Sequence, residues 1–89
     1  MQVVYKEKLN RSAEVQEIEM APGAEVLYLA DQHGDPTIWF LTVENPTTTV
    51  TRRFQYFGTG HADVPKGAKY VGTSFYSWLV LHLFELPEV

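Results

Sequence analysis

Phe54-Gln55-Tyr56-Phe57-Gly58-Thr59-Gly60-His61 decides how the chain folds. An aromatic, alternating run ends in two glycines that bracket a threonine. Alternation with period two is the signature of a strand with one covered face. The strand extends back to Thr48 and sets Val50, Arg52, Phe54 and Tyr56 in one row. An arginine in that row is notable, because its neighbours read as buried or half-buried. The glycines end the strand in a loop, Gly58–Gly67, in which Pro65 and Gly67 limit regular structure.

Outward from that stretch, strands and turns recur at intervals of roughly ten residues. Val3–Leu9 is a β-branched and aromatic run that then alternates, followed by a turn at Asn10–Ser12. Val15–Met20 is a short second strand, stopped by Pro22-Gly23. Glu25–Gln32 is the third. His33-Gly34-Asp35-Pro36 reads as a hairpin turn, with Gly34 supplying a positive φ. Thr37–Val43 is nearly all apolar or β-branched and predicts cover on both faces. Lys69–Phe75 is the sixth strand and Trp78–Phe84 the seventh, with Tyr76-Ser77 turning between them and Pro87 beyond. No segment carries helical periodicity with caps. The expectation is one all-β domain over residues 1–89: a small antiparallel β-sandwich or partly closed barrel of about seven strands.

Composition bounds the function. The chain has 89 residues, 45% of them hydrophobic, and no cysteine, so neither disulfides nor thiolate zinc sites are available. A chain this short buries only about 60–65% of its unfolded surface. With two strands apolar on both faces, it is expected to associate with itself as a homodimer or homotetramer. The N-terminal residues show no signal-peptide pattern, and no apolar run approaches a membrane span. The net charge is −4, which argues against binding polymeric nucleic acid. Charge is uneven, however: residues 52–69 carry +3 through Arg52, Arg53, Lys66 and Lys69 against Asp63, and the remainder carries −7.

That basic excess coincides with the glycine loop, so Gly58-Thr59-Gly60-His61 is a candidate anion cradle. Two glycines let backbone N–H groups of Thr59, Gly60 and His61 converge, and Thr59 adds a hydroxyl. Arg52 is the expected charge-assisted donor, and Tyr56 in the same row the surface on which a base would stack. The ligand-binding set is therefore Arg52, Tyr56, Gly58, Thr59, Gly60 and His61. A tight turn requiring positive φ is the plain alternative. The sequence has neither the Gly-Lys-Ser/Thr of a phosphate loop nor a helix after the glycines. Trp39, Trp78, Phe57, Tyr70 and Tyr76 are further stacking candidates, although most aromatics in a small domain are core. Asp31, His33 and Asp35 alternate through a turn, and a plain hairpin accounts for them better than a metal. His82 reads as a core or interface histidine. No serine has nucleophile-elbow flanks and no paired carboxylates stand out, so no catalytic residue, metal or cofactor is expected. His61 as a general base is the one catalytic option.

Met20-Ala21-Pro22-Gly23-Ala24-Glu25-Val26-Leu27, Gln32-His33-Gly34-Asp35-Pro36-Thr37-Ile38-Trp39, Phe57-Gly58-Thr59-Gly60-His61, Tyr70-Val71-Gly72-Thr73 and Leu81-His82-Leu83-Phe84-Glu85 resemble, in order and over nearly the whole chain, a family of very small proteins of bacteriophage genomes. In size and style these look similar to phage anti-defence sponges, oligomers that sequester cyclic nucleotide signals of immunity systems such as CBASS without cleaving them. The resemblance implies a binding protein in the cytoplasm of the infected bacterial host, with a cyclic oligonucleotide as ligand. The alternatives are a structural or interaction protein that docks a host or virion protein, and a small phosphodiesterase-like enzyme.

Overall fold

The computed structural model describes residues 1–61 and 63–88. Seven strands form, all paired antiparallel: β1 (Gln2–Lys8), β2 (Gln16–Met20), β3 (Glu25–Gln32), β4 (Asp35–Val43), β5 (Val50–Gly58), β6 (Lys69–Tyr76) and β7 (Leu79–Glu85). They make two sheets, one in the order β1-β4-β3 and one in the order β2-β5-β7-β6. The chain crosses between sheets after β1, β2 and β4, so consecutive segments contribute to opposite layers. The all-β expectation holds, and the two-sheet sandwich is the form it takes.

Strand alternation builds the core. From the three-stranded sheet come Leu29, Ile38 and Phe40, and from the four-stranded sheet Ile18, Met20, Phe54, Tyr56 and Leu83. The row Phe54–Tyr56 points inward, as period two requires. The sheets approach most closely where β3 meets β6. A Cβ on Gly72 would lie 2.9 Å from Leu29 Cβ, so only glycine fits there.

Two turns differ from expectation. The β3–β4 hairpin is tighter: His33 and Gly34 both have positive φ, 53° and 84°, the primed turn that matches strand twist. Asp35 and Pro36 consequently belong to β4, opposite Gln32 and Asp31. Pro36 is tolerated because the ladder from β1 stops at Thr37, and its carbonyl accepts the Leu9 N–H at 2.7 Å. At the other end, Trp78 is not the start of a strand. Ser77, at φ 57°, and Trp78 form the two-residue tip between β6 and β7, leaving Trp78 87% exposed.

Candidate functional site

The glycine stretch closes a turn. The His61 N–H donates to the Gly58 carbonyl at 3.1 Å, and Gly60 takes φ 84°, the position where such a turn needs glycine. One of the three expected anion donors is thereby engaged by the turn itself. The exposed His61 ring folds back over Gly58, where an added Cβ would meet it at 2.9 Å.

Arg52 does not reach this turn. It precedes Gly58 by six residues on one strand, about 20 Å. Its Nε and Nη2 donate to the two Glu85 carboxylate oxygens at 2.6 and 2.7 Å, and Nη1 donates to the Ala24 carbonyl. Both side chains of the pair are 18% exposed. The hydrogen bonds to Glu85 hold the guanidinium charged still more firmly than usual. Arg52 thus locks β5 to the end of β7 and to the start of β3. It lines a cleft of about 440 Å³ between β3 and β6, together with Glu25, Lys69 and Glu85.

Tyr56 is 2% exposed, so no base can stack on it. Its hydroxyl is buried without a hydrogen-bond partner among the described residues. Ser74 and Tyr76 lie near enough to influence the phenol without meeting hydrogen-bond geometry, and burial pushes it above its ordinary value. The site expected from the sequence therefore separates. Gly58, Thr59, Gly60 and His61 stay together, whereas Arg52 is half-buried and tied to Glu85, and Tyr56 is in the core.

Thr59 leads to a different constellation, on the outer face of the four-stranded sheet. Its hydroxyl meets His82 Nε2 at 2.7 Å. His82 Nδ1 meets the Thr73 hydroxyl at 3.0 Å, and Thr73 meets the Tyr70 hydroxyl at 2.5 Å. Register makes this possible: Phe57, His82 and Thr73 lie abreast on β5, β7 and β6. A threonine hydroxyl can donate or accept, so either imidazole tautomer completes the line. Aromatic rings surround it. Phe57 and Tyr70 pack edgewise against Phe84 at 5.8 and 5.7 Å between centroids. Tyr70 is 60% exposed and Phe75 71%.

The remaining candidates scatter. Trp39 is half-buried on the outer face of the three-stranded sheet, opposite Lys6 and Tyr28. Tyr76 lies under the Arg11 guanidinium at 4.3 Å, with its hydroxyl 3.4 Å from Asp31. Asp31 also faces Arg11 at 3.5 Å, and Asp35 faces Lys8 at 3.8 Å. Thr73 was not among the sequence candidates, and His82, expected as a core or interface histidine, is half-buried on the outer face. The available signal was the alternation Val80, His82, Phe84, which sets the histidine in a face shared with aromatics.

No curated protein and no solved structure matches the chain. One family model does, over residues 1–89, and on that full-length match the chain belongs to the family described as a domain of unknown function, DUF7352.

Proposed function

We propose that the chain is a binding protein that holds a nucleotide on the outer face of the four-stranded sheet without cleaving it. The observation that carries this reading is the line Thr59–His82–Thr73–Tyr70 laid between exposed aromatic rings. A base needs a stacking surface and partners for its edge, and this face offers both side by side. The Gly58–His61 turn, at the end of the line, is the natural place for a phosphate. Arg53 precedes Phe57 on the same face of β5, its Nη2 on the Pro87 carbonyl at 2.8 Å. The resemblance to small phage proteins supplies the setting: sequestration of a cyclic nucleotide immune signal inside an infected bacterium.

Thermal-shift titration with cyclic di- and trinucleotides, followed by denaturation and chromatography of the released ligand, tests the proposal. A raised melting temperature with intact ligand supports it. Converted ligand would make the protein a phosphodiesterase, and no shift across the panel would remove nucleotides from consideration. A second reading, docking of a host or virion protein, draws on the opposite layer, where Val4, Tyr28 and Val43 are exposed beside half-buried Trp39 and Leu41. Alanine at Tyr28 and Val43 would impair that activity and leave nucleotide binding unchanged.

A further inference from the structure

Four strands stand at sheet edges: β1 and β3 in one sheet, β2 and β6 in the other. An open edge offers unpaired N–H and C=O groups to any passing strand, and proteins blunt it by shortness, bulges or charge. β2 has only five residues. β3 is bulged between Val26 and Tyr28, and β6 between Tyr70 and Gly72. β1 has neither protection. It is seven residues long, six of them exposed, and pairs with β4 without a register shift from Gln2–Val43 to Lys8–Thr37. It contains no proline or glycine. Only Lys6, Glu7 and Lys8 guard it, and they exclude some partners while admitting others.

A second copy is the partner these charges fit. In an antiparallel pair related by a two-fold axis normal to the sheet, facing residues share a face, so the pairing centres on a residue. Centred on Lys6, it would set Lys6 against Lys6. Centred on Glu7, it would set Glu7 against Glu7 and Lys6 against Lys8. Like charges directly opposite are destabilising. Centred on Val4, only Gln2–Lys6 would pair. Centred on Tyr5, all of β1 pairs: Gln2 with Lys8, Val3 with Glu7, Val4 with Lys6, and Tyr5 with its own copy. No like charges then oppose each other, and the Lys6 stem covers the exposed Val4 of the other copy. We propose that β1 is a homodimerisation edge, two copies pairing antiparallel about an axis at Tyr5 so that their three-stranded sheets join into one of six strands. This edge is on the layer away from the ligand face, so its test is independent of the nucleotide reading.

Light scattering at micromolar concentration should give twice the chain mass. Val4→Lys, at an exposed position, would set the new lysine opposite Lys6 twice in the dimer and should give a folded monomer by circular dichroism and scattering. Adding Lys6→Glu to Val4→Lys turns both contacts into opposite charges and should restore the dimer. The chain has no cysteine, so introduced thiols report the register cleanly. Tyr5→Cys places two thiols face to face, with Cβ atoms about 5 Å apart, and should cross-link with a short bis-maleimide. Glu7→Cys places them about 13 Å apart and should not. A monomeric parent protein, or a dimer untouched by Val4→Lys, would overturn the proposal.

Discussion

At the scale of single residues, two side chains expected at a ligand instead hold the interior together. Arg52 grips both Glu85 oxygens and the Ala24 carbonyl. Removing one partner of a buried pair costs about 3–5 kcal/mol, and solvent access to both groups here lowers that to roughly 2 kcal/mol. Arg52→Ala should therefore lower the melting temperature by about 10 °C, given about 4–8 °C per kcal/mol in so small a domain, while nucleotide affinity stays near that of the parent. Replacing both partners, Arg52→Met with Glu85→Leu, should recover most of the loss in the same melting experiment. Tyr56 presents the reverse case. A buried hydroxyl without a partner costs about 1–3 kcal/mol, so Tyr56→Phe should be neutral or stabilising in urea unfolding. The same phenol sets an alkaline limit. Burial raises its pKa, and the tyrosine of the unfolded chain ionises near pH 10. Below that pH its contribution is complete. Above it the unfolded chain gives up a proton that the folded one retains, and stability falls as pH rises. Urea midpoints compared from pH 8 to 11 should show this decline, and Tyr56→Phe should make it shallower.

At the scale of elements, the junction of β3 with β6 fixes how the layers stack. Gly72 follows the β6 bulge and lies against Leu29, with no room for a methyl group. Overpacking of this kind costs typically 1–3 kcal/mol, so Gly72→Ala should lower the urea midpoint, and adding Leu29→Ala should not restore it fully because Leu29 is itself core. The turn after β5 behaves differently. Gly58→Ala meets only the exposed His61 ring, which can swing away, so the protein should fold normally. On the outer face of the same sheet, Tyr70→Ala removes an exposed stacking surface worth about 1–3 kcal/mol per base. Calorimetric titration should show nucleotide affinity reduced roughly 5- to 150-fold with the melting temperature little changed. Unchanged affinity would move the ligand off this face.

At the scale of the whole molecule, an acidic chain carries the line Thr59–His82–Thr73–Tyr70 on one outer face and its regular open edge on the other layer. The binding and the assembly proposed above would use different sheets and need not compete. Three of the five strand pairings, β1 with β4, β2 with β5 and β5 with β7, join strands that are not consecutive in sequence. Such topologies fold in milliseconds to seconds, which stopped-flow fluorescence of Trp39 can follow. A dimer through β1 also makes the urea midpoint rise with protein concentration, by mass action.

The strands were legible from local pattern alone. Period-two alternation, β-branched runs and Gly or Pro punctuation are local signals, and they placed seven strands within a few residues, including the inward row Phe54–Tyr56. The sequence also marked Arg52 as a charge among apolar neighbours, and Gly58–His61 as an anion-binding loop with a tight turn as the alternative. Pairing lay beyond it, because register is a relation between segments. Only the sheet order β2-β5-β7-β6 sets His82 beside Thr73 and within reach of Thr59, and Glu85 beside Arg52; only the two-layer stacking brings Ala24 to Arg52. From sequence alone, the Arg52 charge is assigned to a ligand phosphate. The fold supplies Glu85 as its partner, because the register of β7 on β5 sets Glu85 opposite Phe54, in the row that Arg52 shares.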